Sequence, residues 1–283
     1  MDIIDYENIG KHIEYIHTQR KHNNVSFHLH EGYEIFFLVS GDVKYFVEKN
    51  IYPLNYGDII ITNNQEIHKP SFSTKEIYER ITVHFNPNLV KKFNSPSFDL
   101  LNCFVNRPSG ELNKISAGPV ELDEILTIFN KMDRIRDSFT DGDEMLRVSY
   151  LIELLVLINR LYSDKPMKQK SSNVPEKLIP ILNYIDTHLD GDLSLAALES
   201  IFFIDKYYLS KIFKVWTGSN LHKYIIYKRI SLAKRLLLEG LSVTDTSLKC
   251  GFNDYSNFIK MFKRTVGISP GKYYGTRYRK SKK

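Results

Sequence analysis

One stretch of the last third of the chain occurs twice. At an offset of 49 residues, Asp205–Gly218 and Asp254–Gly267 agree at Asp205/Asp254, Lys211/Lys260, Phe213/Phe262, Lys214/Lys263 and Gly218/Gly267. Leu209/Phe258 and Ile212/Met261 are apolar in both copies. Windows of this length agree by chance at about one position, so the unit is duplicated. Each copy predicts a helix capped at both ends, over 205–216 and 254–265. The Asp carboxylate suits the N-cap and the helix dipole, and the Gly suits the left-handed position after the last turn. Leu209, Ile212 and Phe213, like Phe258, Met261 and Phe262, make an inward stripe that turns the lysines outward. A shorter helix is predicted before each, over Ser194–Ile201 and Val243–Lys249, with Gly251 making the second turn. Short helix, tight turn and outward-basic helix form a helix-turn-helix, whose second helix can enter a DNA major groove. An amphipathic helix over Leu221–Glu239, with Leu221, Ile225, Leu232 and Leu236 inside, joins the two. A rigid connector holding two reading helices ~34 Å apart, one turn of DNA, lets a single chain read two successive major grooves.

Charge supports that reading. Residues 176–283 hold 19 Lys and Arg against 9 Asp and Glu, whereas residues 1–175 hold 20 against 24. Basic charge segregated in this way points to a polyanionic partner for the C-terminal part alone. At 283 residues two domains are expected. The polar run from Ser163 to Asn173 places a linker at 163–175, between a domain at 1–162 and one at 176–283. The longest apolar run, Leu154–Ile158, is far short of the ~20 residues a membrane span needs, and the start of the chain lacks a basic and apolar leader. A cytoplasmic protein without membrane contact is expected. Cys103 and Cys250 are the two cysteines, too few for a disulfide framework or a cysteine-rich zinc site. No phosphate loop, nucleophile elbow or C-x-x-C is present, and the chain is not expected to be an enzyme or to carry a cofactor.

The N-terminal part has a different period. Short β-rich runs at Val25–His30, Tyr33–Val39, Val43–Val47, Asp58–Thr62 and Ile77–Phe85, separated by turn residues, predict a small sandwich or barrel. After Pro119, Leu122, Ile125, Leu126, Phe129, Met132 and Ile135 recur at helical spacing, and a second helix is predicted from about Asp143 to Leu161. That second helix is apolar nearly all round at Leu154–Ile158, which asks for burial on more than one side, one against the barrel and the other against a second subunit or deeper core. The fold class expected is therefore α+β multidomain: a β-barrel with two following helices, then an all-α domain of two helix-turn-helix motifs.

These residues resemble a known family. Leu193-Ser194-Leu195, Tyr208 to Lys214 with Thr217-Gly218, Arg229-Ile230, Ala233, Leu236-Leu237, Gly251 to Phe258, Phe262-Lys263 and Gly267-Ile268-Ser269-Pro270 are similar to the AraC/XylS family of bacterial transcription regulators. The resemblance spans about residues 176–278, and the N-terminal part looks like the cupin sensor domain that family often carries. It implies a homodimer that binds promoter DNA, works with RNA polymerase, and most often activates transcription on sensing a small molecule, a sugar being one candidate. Carried over by position, the DNA-facing residues are Lys206, Tyr207, Ser210, Lys211 and Lys214 in the first motif and Tyr255, Ser256, Asn257, Lys260 and Lys263 in the second. Lys211 and Lys260 stand where bases are read, Lys214 and Lys263 suit phosphates, and Asn257 suits adenine. Two positions depart from the pattern. Glu199 replaces a small residue where the first motif's helices cross, leaving either a rotated helix or a carboxylate that reaches solvent, and Thr246 replaces an apolar one.

His28-Leu29-His30-Glu31-Gly32-Tyr33-Glu34 with Gly41 fits the first cupin motif, and His68 falls where the second supplies its last ligand. His22, Asn63 and Gln65 depart from the motif's usual Gly and Pro. Strand alternation puts His28 and His30 on one face, with Glu34 able to converge from the next strand. Sensor cupins of the resembling family use such residues to hydrogen-bond a polar effector without a metal, and His28, His30, Glu34 and His68 are read first as that effector site, with Tyr33, Phe36, Tyr45 and Phe85 as candidate aromatic walls. The alternative is a cupin metalloenzyme, a dioxygenase or isomerase, using the same four residues.

Overall fold

The protein, as a computed structural model, is described over residues 13–21, 27–72, 77–138, 140–163 and 174–280, with side chains up to residue 275. Its N-terminal half holds two antiparallel sheets. β1 (Ile13–Lys21), β2 (Tyr33–Ser40), β5 (Asp58–Thr62), β7 (Ile77–Phe85) and β8 (Lys114–Ser116) lie in the order β1-β7-β2-β5-β8. β3 (Val43–Val47), β4 (Asn50–Leu54) and β6 (His68–Phe72) lie in the order β4-β3-β6. Alternation along β2 divides its side chains between two cores. Ile35 and Phe37 join Ile59, Ile61, Ile81 and Val83 under the helices, and Phe36 and Leu38 join Val43, Tyr45, Tyr52 and Ile60 between the sheets. Because both faces are covered, β2 reads as an unbroken apolar run.

After the short helices α1 (Pro87–Lys91) and α2 (Asn102–Val105), α3 (Pro119–Arg134) and α4 (Asp141–Ser163) cover the larger sheet. Pro119 starts α3 at the position where no amide donor is needed. Leu151, Leu154, Leu155 and Ile158 of α4 are buried in the same core as Ile125 and Phe129 of α3, which supplies the inner side of burial that its composition asks for.

Four of the five expected strands form. The run at Val25–His30 does not: of its described residues only His28 pairs, exchanging backbone hydrogen bonds with His68 at 3.1 and 3.2 Å. The cause is that Phe27 and Leu29 pack on the C-terminal helices rather than on a neighbouring strand. Val25 and Ser26, and linker residues 164–173, lie outside the described residues. The sequence does not signal β1, β4, β6 or β8. β1 is polar at its end, β8 is three residues long, and β4 and β6 carry Pro53 and Pro70, which they tolerate as edge strands.

The C-terminal part opens with a 3-10 turn at Glu176–Leu178 and continues through α5 (Ile179–Thr187), α6 (Leu195–Phe202), α7 (Lys206–Thr217), α8 (Leu221–Glu239), α9 (Val243–Lys249), α10 (Tyr255–Val266) and α11 (Pro270–Lys280). Both duplicated helices are capped as expected. Asp205 accepts from the Tyr208 amide and Asp254 from the Ser256 and Asn257 amides, while Gly218 and Gly267 sit at φ 67° and 86°. The connector α8 departs from expectation. Leu232 and Leu236 are only half-buried, whereas Tyr224, Ile226, Ile230, Ala233, Lys234 and Leu237 join Leu221 and Ile225 in the interior. α8 is not a spacer with one apolar stripe, because the two helix-turn-helix units and the barrel touch it from different sides.

Candidate ligand site and nucleic-acid interface

The two duplicated helices, α7 and α10, turn their polar faces outward. Tyr207, Lys211 and Lys214 on α7, and Tyr255, Ser256, Asn257, Lys260 and Lys263 on α10, are exposed, while Leu209, Phe213, Phe258 and Phe262 anchor the helices from below. Ser210 and Lys206 are half-buried. Glu199 resolves its own difficulty. Its Oε1 accepts the Lys206 amide at 3.0 Å and its Oε2 lies 3.8 Å from Lys206 Nζ, at a site about one-third exposed. The carboxylate reaches solvent and adds a second cap to α7, satisfying an amide that Asp205 leaves open. In the second motif Thr246 and Ser247 are buried, and neither hydroxyl has a hydrogen-bond partner among the described residues.

At the open end of the barrel His28, His30, Glu34 and His68 converge, with one ligand atom from each lying within 4.8 Å of all the others. Glu34, at the start of β2, is the hub. Its Oε1 accepts from Tyr45 Oη at 2.5 Å, and its Oε2 lies 3.1 Å from His30 Nε2, 3.5 Å from His68 Nε2 and 2.7 Å from His84 Nε2. Burial pushes the Glu34 carboxyl up, but His68, His30 and His84 outweigh it and hold the group well below the usual carboxylate range. His84 belongs to the site and was missed in the sequence. It stands on β7 directly opposite Glu34 in the β2–β7 register, and its Nδ1 lies 3.2 Å from Glu14 on β1. Burial pulls the His84 pKa down, and the carboxylates of Glu34 and Glu14 more than reverse this. Of the four candidate aromatic walls, Tyr45 touches the site, while Phe36 is buried in the core between the sheets.

The donor set fits a transition-metal ion. His30 Nδ1 donates to Gly32 O at 2.9 Å, and His68 Nδ1 donates to Glu66 O at 2.8 Å. A neutral imidazole with its proton on Nδ1 presents a lone pair at Nε2. Both Nε2 atoms lie near Glu34 Oε2, where a neutral ring would set acceptor against acceptor; a second proton on the ring, donated to Glu34, or a bound cation relieves that clash. His68 Nε2 is buried and makes no hydrogen bond among the described residues. Backbone carbonyls that lock the outer nitrogen and aim the inner one inward are the arrangement found around metal-bound histidines. Three imidazoles and a carboxylate suit Zn, Ni, Fe or Cu rather than cations that prefer oxygen ligands throughout.

Comparison with known proteins decides the family. Residues 11–155, just over half the chain, match the family model described as an AraC-like ligand binding domain, and residues 198–275 match the one described as a helix-turn-helix domain. The chain belongs to the AraC family. Among its relatives, LumQ, a probable transcriptional regulator of Photobacterium leiognathi, is 32% identical over 135 residues, 46% of this chain and 52% of LumQ. The regulatory protein PocR of Salmonella typhimurium is 33% identical over 98 residues, 34% of this chain and 32% of PocR. The matched stretch thus spans about half of LumQ and about a third of PocR. ToxT from Vibrio cholerae aligns over 93% of this chain and 95% of its own, with a TM-score of 0.40 and 13% identity.

In this member of the AraC family the barrel and the helix-turn-helix unit are in contact, and α8 carries much of the contact. Lys234 is buried, with Nζ 2.7 Å from Glu31 Oε1 and 2.6 Å from Asn64 O. Burial pulls its pKa down, partly offset by Glu31. Ser231 Oγ donates to Gln65 O at 2.8 Å. Lys228 bridges Glu48 at 2.7 Å and Asp186 at 2.9 Å, and Lys49 meets Asp186 at 2.8 Å. Phe27 and Phe46 pack on Tyr224, and Phe46 also on Trp216 at the end of α7. A buried ammonium stripped of its carboxylate is costly, unlike an exposed ion pair worth about 0–1 kcal/mol. Beside this contact a cleft of about 520 Å³ runs between the two parts, lined by Glu31, Gly32 and His84 on the barrel and by Leu238 and Tyr273 on the helical side. Its size suits a small polar ligand.

Proposed function

We propose that the protein is a ligand-responsive, sequence-specific DNA-binding transcription regulator, acting as an activator, in which the barrel senses the ligand and α7 and α10 read two successive major grooves. The observation that carries this reading is one helix, α8, serving two roles. It joins two capped, outward-basic reading helices, and its side chains grip the loops that bear the barrel's histidines. Lys206, Tyr207, Ser210, Lys211 and Lys214 serve the first half-site, and Tyr255, Ser256, Asn257, Lys260 and Lys263 the second. His28, His30, Glu34 and His68, joined by His84, form the sensor, with a sugar or another small polar molecule fitting the adjoining cleft. Residues 1–162 act as sensor and dimerisation domain, 163–175 as linker and 176–283 as the DNA-binding domain. The working form is a cytoplasmic homodimer that recruits RNA polymerase.

From the sequence alone, the helices of 121–162 or the N-terminal arm are the expected route for the signal. The arm lies outside the described residues, and the grip on α8 favours α8 as the output instead. The histidine cluster would also suit a metalloenzyme. The packing of Phe27, Leu29 and Ile67, which alternate with its histidines, onto the DNA-binding helices favours sensing.

The test is to sequence genomic fragments retained by the purified protein at near-physiological salt, where non-specific phosphate binding is weak. Enrichment of a few promoters carrying paired half-sites ~34 Å apart is expected. No enrichment with either the apo or the ligand-loaded protein overturns the reading.

A further inference from the structure

The base-reading ends of the two motifs are built from different chemistry. In a helix-turn-helix the N-terminal residues of the second helix approach base edges, so what stands at the start of α7 and of α10 decides what is read. Each motif carries a phenylalanine at the same place in the repeat, Phe203 and Phe252, 49 residues apart. Phe252 is buried, its ring 5.2 Å from that of Phe258 under α10. Phe203 is 95% exposed. The turns differ in length: residues 203–205 separate α6 from α7, and residues 250–254 separate α9 from α10. In the shorter turn Phe202 takes the inward place, its ring 5.5 Å from that of Tyr184, and the chain reverses through a left-handed Phe203 at φ 51°. A bulky side chain costs stability in that conformation, and among the described residues Phe203 joins no apolar cluster that would offset it.

The polar groups beside Phe203 are already engaged. The Lys206 amide donates to Glu199 and the Tyr208 amide to Asp205, while Lys206 Nζ lies 3.8 Å from Glu199 and 5.5 Å from the centre of the Tyr207 ring. Two carboxylates at this end also disfavour a phosphate. Phe203 and Tyr207, 95% and 76% exposed, are what remains to meet the groove. α10 instead presents Ser256 and Asn257, exposed side chains that can hydrogen-bond bases. We propose that Phe203 is a specificity-determining DNA contact, its ring set against the 5-methyl group of a thymine in the first half-site. This rests on the regulator reading above and adds to it the base that the turn of the first motif selects. The thymine methyl is the apolar group that base edges offer in the major groove, and phenylalanine is among the side chains that meet it. The start of α7 then reads by apolar contact and the start of α10 by hydrogen bonds.

Replacing dT by dU removes that methyl and nothing else. Duplexes of an enriched promoter site carrying single dT→dU replacements are titrated with the full-length protein and with Trp216→Ala, in which α7 is loosened from Phe46. The first half-site is the one whose preferences survive Lys260→Ala. One replacement there is expected to weaken binding about 3–5-fold, the worth of one methyl group withdrawn from burial. Phe203→Gly, made in both proteins, should bind the dT duplex about tenfold more weakly and lose the difference between dT and dU. Glycine suits a left-handed turn, so a urea midpoint no lower than the parent's shows that the loss is not unfolding. Val215→Ala removes another bare apolar group, 78% exposed, from the far end of α7, and should keep the difference between dT and dU.

A first half-site in which no dT→dU replacement matters in either protein overturns the proposal, as does Phe203→Gly binding the dT duplex as tightly as its parent. A difference between dT and dU that persists in Phe203→Gly assigns the methyl to another side chain and overturns it as well. The regulator reading fails by an earlier measurement, the absence of any enriched promoter, and takes the proposal with it. Specific binding without methyl dependence overturns the proposal alone.

Discussion

The two helix-turn-helix units descend from one pattern but are finished differently. In both, an Asp caps the reading helix and a left-handed Gly ends it. The first unit adds the Glu199 cap and places Phe203 at φ 51° in its turn, whereas the second packs small Thr246 and Ser247 at the crossing and puts Gly251 at φ 71°. The end of α7 rests on the barrel through Trp216 and Phe46; the second unit is followed by α11, whose Tyr273 lies beside Glu31. The same local code thus yields one motif bound to the sensor through its own reading helix and one held at a remove. Under the proposed function, the first unit's use of DNA depends on the sensor's state more than the second's does.

The largest expected effect tests that asymmetry. Lys260→Ala should weaken specific DNA binding by about 1–3 kcal/mol and relax preference at one base, whatever the state of the sensor. Lys211→Ala should show a comparable loss only where the contact of α7 with the barrel is loosened, as in Trp216→Ala. Fluorescence anisotropy with one labelled site measures both, and equal losses in both states would erase the distinction.

The turns come next. At Gly251 an added Cβ would lie 2.3 Å from the Leu189 carbonyl oxygen, so Gly251→Ala should destabilise the protein by more than about 1 kcal/mol in urea unfolding. At the corresponding place Phe203 is 95% exposed and pays for its left-handed backbone with no packing in return. Phe203→Gly should therefore stabilise by about 1 kcal/mol. A loss there would show that the phenyl ring is held by something other than the described residues.

The smallest effect concerns Glu199. As a second cap of α7, Glu199→Ala should cost at most about 1 kcal/mol, read as a lower urea midpoint. A gain would mean that the carboxylate is a desolvation penalty at the helix crossing after all.

Much of the helical half was legible in the sequence. Helix-turn-helix order, both Asp caps, both Gly ends and the bounds of α8 and α9 follow from residues a few positions apart, because capping and helical periodicity act within a turn or two. The barrel was half legible. The apolar strands β2, β3, β5 and β7 are legible as such, the alternating run at Val25–His30 misleads, and the edge strands with Pro53 and Pro70 carry turn chemistry that masks them. The ligand motif named His28, His30, Glu34 and His68 of the cluster but not His84, and an alternation reading of β7 would have placed His84 on one face without saying which strand it faces.

What the sequence by itself determined is local: the duplicated reading unit, its caps, its basic face and the H-x-H-x3-E spacing. Only the tertiary structure decided which distant groups meet. His84 reaches Glu34 across 50 residues through the register of β2 and β7, and Lys228 reaches Glu48 across 180 through the docking of α8. Short-range hydrogen bonds and periodicity leave their mark on neighbouring residues. Register and docking emerge from the summed burial of many side chains on separate elements, and no single stretch of sequence carries that sum.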